Sequence, residues 1–430
     1  MSGVPIDATN QSENTEQDIR RPVIILSGGN SVKPLAKGLS EAYDIGILYP
    51  QIAEPLKEEK LPVFGIDEGG SQVDQGFGVN WAATNIPKII GNLNSKRGMR
   101  SLLPETEIFG SLSEDLKSWF PGFAMSGLSR IVARLNVWTR LWETRDIKLV
   151  VTHEDVCEDT RALTQFAKAR GTPTLNVPHF NHGTIIGNPP DLHNRVICDW
   201  IAVAGEYMKE WYMDRGVDEG RIRVTGHPQW DRFTTMQRDR RWACAMLKLD
   251  HKRPVVTYAS DWVLWTTLLY NPKQPELGWQ TMLSAMHELR NDGVQLVCKV
   301  HPNSRNATAE WHAAVARDLG VNCLVTAQHG DIVLQATDLM VSNGFSNYTT
   351  EATMLGSPAI WMGEGFVADP LIPSVPYDAE SLYNAIKLSF AQKAVWERDA
   401  RPRILERYVG PHDGQATQRV VDWCKELICA

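Results

Sequence analysis

Short apolar runs alternate with longer segments of helical periodicity from residue 21 to the end of the chain. Runs such as PVIIL (22–26), KLVVT (148–152) and PVVTY (254–258) lack polar alternation, which is typical of strands buried on both faces. This order predicts an α/β fold, with parallel sheets covered by helices. The pattern restarts after a basic stretch that ends at residue 253, so we expect two sheets in succession. The Gly-, Pro-, Asn- and Ser-rich residues 55–125 predict loops or an insertion.

Composition narrows the class of protein further. The formal net charge is −7, the wrong sign for a general nucleic-acid coat protein. The seven cysteines are scattered without a CxxC pair, which is typical of reduced thiols in a cytosolic protein and not of structural zinc. Since no stretch approaches 18 consecutive apolar residues, we expect no transmembrane helix. Residues 1–20 are polar and acidic, and they predict a disordered tail, not a signal peptide.

Ligands of open parallel sheets bind beyond the carboxyl ends of the strands, so the segments after each predicted strand are candidate sites. Gly28, Gly29 and Asn30 follow the first strand and precede a helix. Paired glycines let a backbone approach a ligand closely, and a helix N-terminus favours an anion. The loop is therefore a candidate acceptor or phosphate loop, and a tight turn without a ligand explains it equally well.

Two groups of histidine and carboxylate follow neighbouring predicted strands of the first half. His153, Glu154 and Asp155 come after one strand, and the segment HFNHGT (179–184), which contains His182, comes after the next. An imidazole base and a carboxylate that orients it are the elements of general acid–base catalysis. A catalytic role and an ordinary loop histidine bonded to the backbone both stay open.

Two further segments follow strands of the second half. His301 precedes Pro302, which forces a turn and leaves the imidazole at the strand end, where it can donate to a phosphate. The other segment opens a helix with more hydroxyl and amide groups than capping requires, which predicts a phosphate site. A glutamate one turn further in can accept hydrogen bonds from a ribose or sugar. These candidate residues are Ser346, Asn347, Thr349, Thr350 and Glu351.

Five segments then occur in a set order: ICDWIAVAGEYMKEWYMDRGVDEGRIRVTGHPQWDRF (197–233), VVTYASDW (255–262), KVHPNS (299–304), ATDLMVSNGFSNYTTEATMLGSP (336–358) and VGPHDGQATQRVVDW (409–423). Together they resemble the nucleotide-activated transferases of the GT-B fold. They are similar to the CDP-glycerol glycerophosphotransferase-like enzymes of teichoic-acid and capsule synthesis, and to UDP-N-acetylglucosamine 2-epimerases. The likeness covers 150–430 well and 21–150 in outline.

The resemblance implies two Rossmann-like domains that face each other across a cleft, with a C-terminal helix that crosses back to the first domain. The implied organisation is a disordered tail (1–20), an acceptor domain (21–228), a connector (229–252), a nucleotide-donor domain (253–408) and the crossover helix (409–430).

The resemblance also implies roles for single residues. His182 of the HGT segment would take the acceptor proton, with Glu154 or Asp155 as the second choice. Because no DxD motif occurs, we expect protein groups, without a metal or other cofactor, to stabilise the leaving diphosphate. The resemblance assigns His301, Ser346 and Asn347 to the donor diphosphate, where we also expect Thr349. We expect Thr350 to be a further donor-binding residue and Glu351 to bind the ribose or sugar.

These features predict a glycosyltransferase or polyol-phosphate transferase of surface glycan synthesis. Its donor would be a nucleotide sugar or CDP-polyol, and its acceptor a glycan or a lipid-linked hydroxyl. Three alternatives stay open: a UDP-N-acetylglucosamine 2-epimerase-like enzyme, a phage-type DNA-base glycosyltransferase and a non-catalytic nucleotide-sugar sensor. Only the basic run 238–253 favours DNA, and a solvated connector explains that run more simply. We expect a cytoplasmic protein; peripheral association with the inner face of the membrane and homo-oligomer formation stay open.

Overall fold

The computed structural model describes residues 21–29, 31–67, 72–93, 127–154, 158–179, 196–260, 274–301, 304, 308–343, 346–363 and 369–430. They contain two sheets of parallel strands, in the orders β3-β2-β1-β4-β5-β6-β7 and β10-β9-β8-β11-β12-β13. The strands of the first sheet are β1 Val23–Ser27, β2 Asp44–Ile47, β3 Val63–Gly65, β4 Ile147–Thr152, β5 Thr174–Asn176, β6 Trp200–Val203 and β7 Ile222–Val224. Those of the second are β8 Val255–Ala259, β9 Gln295–Lys299, β10 Cys323–Thr326, β11 Leu339–Ser342, β12 Ala359–Met362 and β13 Ser374–Val375.

Helices connect most of the strands. They span Lys33–Ser40, Pro50–Glu58, Gln72–Leu93, 127–144, Glu158–Ala169, Glu206–Met213, Arg232–Thr235, Arg240–Met246, Gln274–Leu289, Ala309–Asp318, Gly330–Ala336, Asn347–Met354 and Ala379–Ala391. Helical turns then follow over Lys393–Val395, Trp396–Ala400, Arg401–Ile404 and Leu405–Val409, and the C-terminal helix spans Ala416–Cys429.

The central strands are apolar because both faces of each sheet are covered. All five residues of β1 and of β8 are buried, as are the last four of β4. The core of the second sheet joins these strands to the helix Gln274–Leu289 through Trp279, Met282 and Leu283, each completely buried. Continuous apolar runs are what parallel strands require. The predicted α/β fold with two parallel sheets is confirmed.

The expectation of loops across residues 55–125 is wrong for part of that range, because Gln72–Leu93 is a 22-residue helix. This helix and the helix 127–144 belong to one compact unit, formed by 1–24, 42–44 and 69–148; the remaining residues form the other. Within the first unit, the buried Asp74 carboxylate accepts two hydrogen bonds from the Arg140 guanidinium, at 2.8 and 2.9 Å. A partly buried ion pair thus joins these two helices, beside the apolar contact of Leu128 with Ala82 and Ile86.

The basic run after the first sheet is not a solvated connector. Arg238 donates to the Gln335 carbonyl at 3.0 Å, and Arg240 donates to the Asp338 carboxylate at 2.5 Å. The helix Arg240–Met246 also buries Ala243 in the core of the second sheet. Two of the arginines that favoured a DNA substrate thus hold this segment against the second sheet.

The C-terminal helix returns to the elements of the first sheet, as expected. The Asp231 carboxylate accepts from the backbone N–H groups of Ala416 at 2.9 Å and Thr417 at 2.7 Å, and so caps the helix. Further along the helix, Trp423 meets Trp200 edge-on, with ring centroids 6.2 Å apart. The predicted crossover of this helix is confirmed. Among the described residues, no helix is both long and apolar enough to cross a membrane.

Candidate functional site

Each sheet has one point where the strand order reverses direction. In the first sheet it lies between β1 and β4, and in the second between β8 and β11. Open α/β sheets bind ligands beyond the carboxyl ends of the strands at such a point. The residues that follow these four strands and their neighbours β5 and β9 are therefore the first place to look for a site.

The glycine loop after β1 makes room for a histidine. A Cβ atom added to Gly28 would lie 2.2 Å from His153 Nδ1, so only glycine lets the imidazole stand against this loop. No atom of the described residues lies within 4 Å of the equivalent position on Gly29. Gly28 is therefore explained by packing against His153. Gly29 has no such contact, so the space beside it is open to a ligand. Asn30 lies outside the described residues.

The ends of β4 and β5 bring two imidazoles to one carboxylate. His153 Nδ1 lies 3.2 Å from the Ser27 carbonyl oxygen, and its Nε2 lies 3.5 Å from Glu154 Oε1. The other carboxylate oxygen, Oε2, lies 3.9 Å from His179 Nδ1. The two imidazole rings are 5.1 Å apart, and the His179 backbone N–H donates to the His153 carbonyl at 3.1 Å. We call these three residues the His–Glu–His cluster.

The cluster agrees in part with the sequence analysis. The sequence predicted a histidine–carboxylate pair at these two strand ends and named Glu154, which lies between the imidazoles. His182 and Asp155, the other predicted catalytic residues, lie outside the described residues. His179 was not itself among the predicted site residues, although its position shortly after β5 was a signal in the sequence.

In the second sheet, the helix Asn347–Met354 begins after Ser346 with a capping box. The Ser346 hydroxyl accepts from the Thr349 backbone N–H at 3.4 Å, and the Thr349 hydroxyl accepts from the Ser346 backbone N–H at 3.1 Å. The Thr349 hydroxyl also donates to the Ser346 carbonyl at 2.5 Å. Two of the hydroxyls predicted to bind the donor thus make the cap, which is a structural task.

Other polar atoms around the start of this helix have no such task. Asn343 Oδ1, Asn347 Oδ1 and Thr350 Oγ1 are buried without a hydrogen-bond partner among the described residues. The exposed fraction is 3% for Thr350 and 6% for Asn343. Buried polar groups are nearly always hydrogen-bonded in folded proteins, so these atoms make the start of this helix a candidate ligand site.

One hydrogen bond joins the two sheets at this point. Asn347 Nδ2 donates to the His179 backbone carbonyl at 2.5 Å. The N-terminus of the Asn347–Met354 helix therefore lies next to the His–Glu–His cluster. Asn347 and Glu154, two predicted site residues from opposite halves of the sequence, thus both lie next to His179.

Glu351 is buried, with 5% of its surface exposed. Burial raises the pKa of its carboxyl to about 7, while the nearby Arg232 guanidinium opposes that rise. Arg232 is itself paired with Asp331 at 3.1 Å, which weakens its effect on the glutamate. The carboxyl can therefore be neutral near pH 7 and can either donate or accept a hydrogen bond.

His301 follows β9, and its backbone N–H donates to the Ser260 hydroxyl at 3.2 Å. Burial and then the Lys299 charge lower the pKa of the imidazole to about 4. At neutral pH the ring carries no charge, so it can meet a phosphate only as a neutral N–H donor. The predicted hydrogen bond from His301 to the substrate's diphosphate does not need a charged imidazole, and it stays a prediction.

Lys299, a charged residue inside the apolar run QLVCKV (295–300), was not among the predicted site residues. The lysine is 9% exposed, and its ammonium donates to the carbonyls of Val300 at 2.9 Å and Ala327 at 3.1 Å. Burial lowers the pKa of this ammonium. A lone lysine in a buried strand was the available signal, because such a residue is retained only where it has partners.

The fold has been seen before at low sequence identity. The UDP-GlcNAc 2-epimerase from Neisseria meningitidis bound to UDP-GlcNAc is 13% identical, with a TM-score of 0.58 over 94% of this chain and 100% of that one. Anabaena Alr3699/HepE in complex with UDP is 12% identical, with a TM-score of 0.56 over 94% and 100% of the two chains. The Methanocaldococcus jannaschii UDP-GlcNAc 2-epimerase in complex with UDP-GlcNAc and UDP is 13% identical, with a TM-score of 0.56 over 94% and 99%.

These likenesses show that the chain has the GT-B fold, in agreement with the resemblance stated above. No family model matches the chain, and no curated protein sequence matches it. Since unrelated activities share folds, the activity has to be argued from the site.

Proposed function

We propose that the chain is a GT-B enzyme that transfers a group from a nucleotide-activated donor to an acceptor hydroxyl. The observation that carries the proposal is the hydrogen bond from Asn347 to the His179 carbonyl, which brings an anion-binding helix terminus next to a histidine–carboxylate cluster. A donor bound at the first would present its reacting atom to the second.

The donor would bind at the start of the Asn347–Met354 helix. The N-terminal N–H groups of a helix favour phosphate, and the unsatisfied atoms of Asn343 and Thr350 are available to the same ligand. Glu351, with a pKa of about 7, would hold ribose or sugar hydroxyls by accepting or donating. His301 would contribute a neutral N–H to the diphosphate.

The acceptor would bind at the carboxyl ends of β1, β4 and β5. His182 is our proposed base for the acceptor proton. Glu154 is the carboxylate between His153 and His179, and its proposed task is to hold this end of the site in place. The open space beside Gly29 gives an acceptor room to approach.

A donor screen tests the proposal. Thermal unfolding is measured with CDP-, UDP-, GDP- and CMP-linked donors, because a ligand that binds only the native chain raises its melting temperature. Each stabilising donor is then incubated with glycan and lipid-linked acceptors, and the products are analysed by mass spectrometry. We expect at least one donor to stabilise the chain and to be consumed only when an acceptor is present. Stabilisation by none of the four classes would contradict the proposal.

A second candidate is an epimerase that acts on the nucleotide sugar without an acceptor. It is favoured by the solved structures of similar fold, two of which are UDP-GlcNAc 2-epimerases in complex with UDP-GlcNAc. Incubation with UDP-GlcNAc alone separates the two candidates. An epimerase gives the C2 epimer, which chromatography resolves, whereas a transferase leaves the donor largely intact.

A further inference from the structure

We propose that the His–Glu–His cluster binds a divalent transition-metal ion of the zinc class. One nitrogen of His153, one of His179 and one carboxylate oxygen of Glu154 all lie within 4.8 Å of one another. Imidazole nitrogen and carboxylate oxygen are the ligands that zinc and its neighbours take in open, three-ligand sites. The proposal concerns ion binding and does not depend on the proposed transferase activity.

The hydrogen-bond arrangement of His153 supports a cation. Its Nδ1 lies 3.2 Å from the Ser27 carbonyl oxygen, which can only accept, so Nδ1 carries a proton. In the neutral ring, Nε2 then carries a lone pair, and it faces another acceptor, Glu154 Oε1, at 3.5 Å. Two acceptor atoms that face each other repel, and a cation bound between Nε2 and Oε1 removes that repulsion. An Nδ1–H bond to a backbone carbonyl is also how proteins commonly orient a metal-binding histidine.

The distances suit an ion at the centre of the cluster. Two ligands bound at 2.0–2.2 Å to a tetrahedral ion are about 3.3–3.6 Å apart. His153 Nε2 and Glu154 Oε1, at 3.5 Å, already have this separation. The 3.9 Å between His179 Nδ1 and Glu154 Oε2 involves the other carboxylate oxygen. Since one ligand atom from each residue lies within 4.8 Å of the others, a side-chain adjustment of about 1 Å brings all three around one ion.

The cluster is held in place and can be reached. Gly28 and the Ser27 carbonyl fix the His153 ring from one side. The side-chain exposures are 14% for His153, 15% for Glu154 and 38% for His179, so the cluster lies close to the surface at the His179 ring, while His179 Nδ1 itself is buried. Three protein ligands leave a fourth position for water or for a substrate oxygen. The absence of a DxD motif concerns the donor diphosphate, which we assign to the other sheet, and does not bear on this cluster.

Direct metal titration tests the site. The untagged full chain is treated with EDTA, exchanged into metal-free buffer and titrated with Zn²⁺ and Co²⁺ by calorimetry. We expect one equivalent of either ion to bind, and the Co²⁺ form to show the visible d–d bands of a site with nitrogen and oxygen ligands. The spectrum uses the unmodified chain, so it does not depend on the folding of any variant.

Variants locate the ion. His179→Ala and Glu154→Gln should each lower the affinity at least about 100-fold, since loss of a ligand exceeds the roughly 10–100-fold cost of losing a group that only orients one. His287→Ala, an exposed histidine on the helix Gln274–Leu289, should leave it unchanged. No saturable binding of either ion, or binding that His179→Ala and Glu154→Gln do not change, would overturn the proposal. Donor binding or turnover without metal would leave the proposed function intact.

Discussion

The two sheets have the same topology at their reversal points but carry different chemistry there. At the first, the ends of β4 and β5 supply ionisable side chains that face each other: His153, Glu154 and His179. At the second, the start of a helix supplies backbone N–H, hydroxyl and amide groups, and the ionisable residues beside it are held towards neutrality. Burial lowers the pKa of His301 to about 4 and raises that of Glu351 to about 7.

This difference indicates a division of labour. Ionisable groups in mutual contact can move a proton or bind a cation, which suits the first sheet for the acceptor. Neutral donors at a helix N-terminus can bind an anion at any pH near neutrality, which suits the second sheet for a diphosphate. If the division is correct, substitutions at the first sheet change turnover or metal content, and those at the second change donor affinity.

The largest expected effect is on turnover. His182→Ala should lower it by roughly 10²–10⁴-fold, because that is what a positioned general base contributes. The dissociation constant of the donor, measured by calorimetry, should stay within about twofold. His287→Ala is the matched control and should retain full turnover. Near-normal turnover of the His182 variant, or an equal loss of donor affinity, would remove the proposed difference between the sheets.

Glu351→Gln should change how stability depends on pH. The carboxyl has a pKa of about 7 in the fold against 4.5 ordinarily, so the fold favours its protonated form. As pH rises from 4.5 to 7, the unfolded chain loses this proton before the folded chain does, and the native chain loses up to about 3 kcal/mol of stability. Glutamine has no such loss. The variant should therefore gain stability relative to the unmodified chain between about pH 5 and pH 8.

Thermal unfolding of the unmodified chain and of Glu351→Gln, each at about pH 5 and about pH 8, measures this gain in stability. The low-pKa histidines His227 and His301 change stability in the opposite direction, with stability lost as pH falls from 6.5 towards 4. Both are present in both chains, so their contribution cancels in the difference. A difference between the chains that is constant with pH would show that Glu351 is ionised in the fold throughout this range.

His301→Ala should weaken donor binding by about 1–3 kcal/mol, or roughly 5–150-fold, if one hydrogen bond to the diphosphate is lost. With a pKa of about 4, the imidazole is neutral from pH 6 to pH 8, so its contribution should not vary over that range. Calorimetric titration of both chains at several pH values measures it. A contribution that declines as pH rises through about 6.5 would identify a charged imidazole and remove this contrast between the sheets.

Most of the fold could be predicted from the sequence, because buried parallel strands appear as apolar runs. The run 148–152 predicted β4, and the structure gives Ile147–Thr152. The helix Gln72–Leu93 could not be predicted, because Gly76, Gly78 and Pro87 interrupt its pattern. A Cβ on Gly78 would lie 2.2 Å from the Ser129 carbonyl oxygen, so this glycine is explained by a tertiary contact that no local pattern contains.

Part of the candidate site could likewise be predicted from the sequence, and part of it depends on tertiary contacts. The position of Glu154 after a strand was visible in the sequence, and the structure places it between two histidines. The bond from Asn347 to the His179 carbonyl joins residues 168 positions apart and depends on how the two sheets pack. The separate tasks of the hydroxyls near Ser346 were also hidden, because composition does not say which hydroxyl a capping box uses.

The difference between the capping hydroxyl of Thr349 and the unpartnered hydroxyl of Thr350 gives the smallest predicted effect, and it tests the donor site of the second sheet most directly. Thr349→Val removes a capping hydroxyl and should cost about 0.5–2 kcal/mol of stability without changing donor affinity. Thr350→Val removes a buried hydroxyl that lacks a partner among the described residues, so stability should hold or rise slightly while donor affinity falls. The two valines add the same atoms at adjacent positions of one helix, so each variant is the control for the other. Equal losses of donor affinity would mean that the ligand uses the capping hydroxyl as well, and cap and binding site would then be one structure.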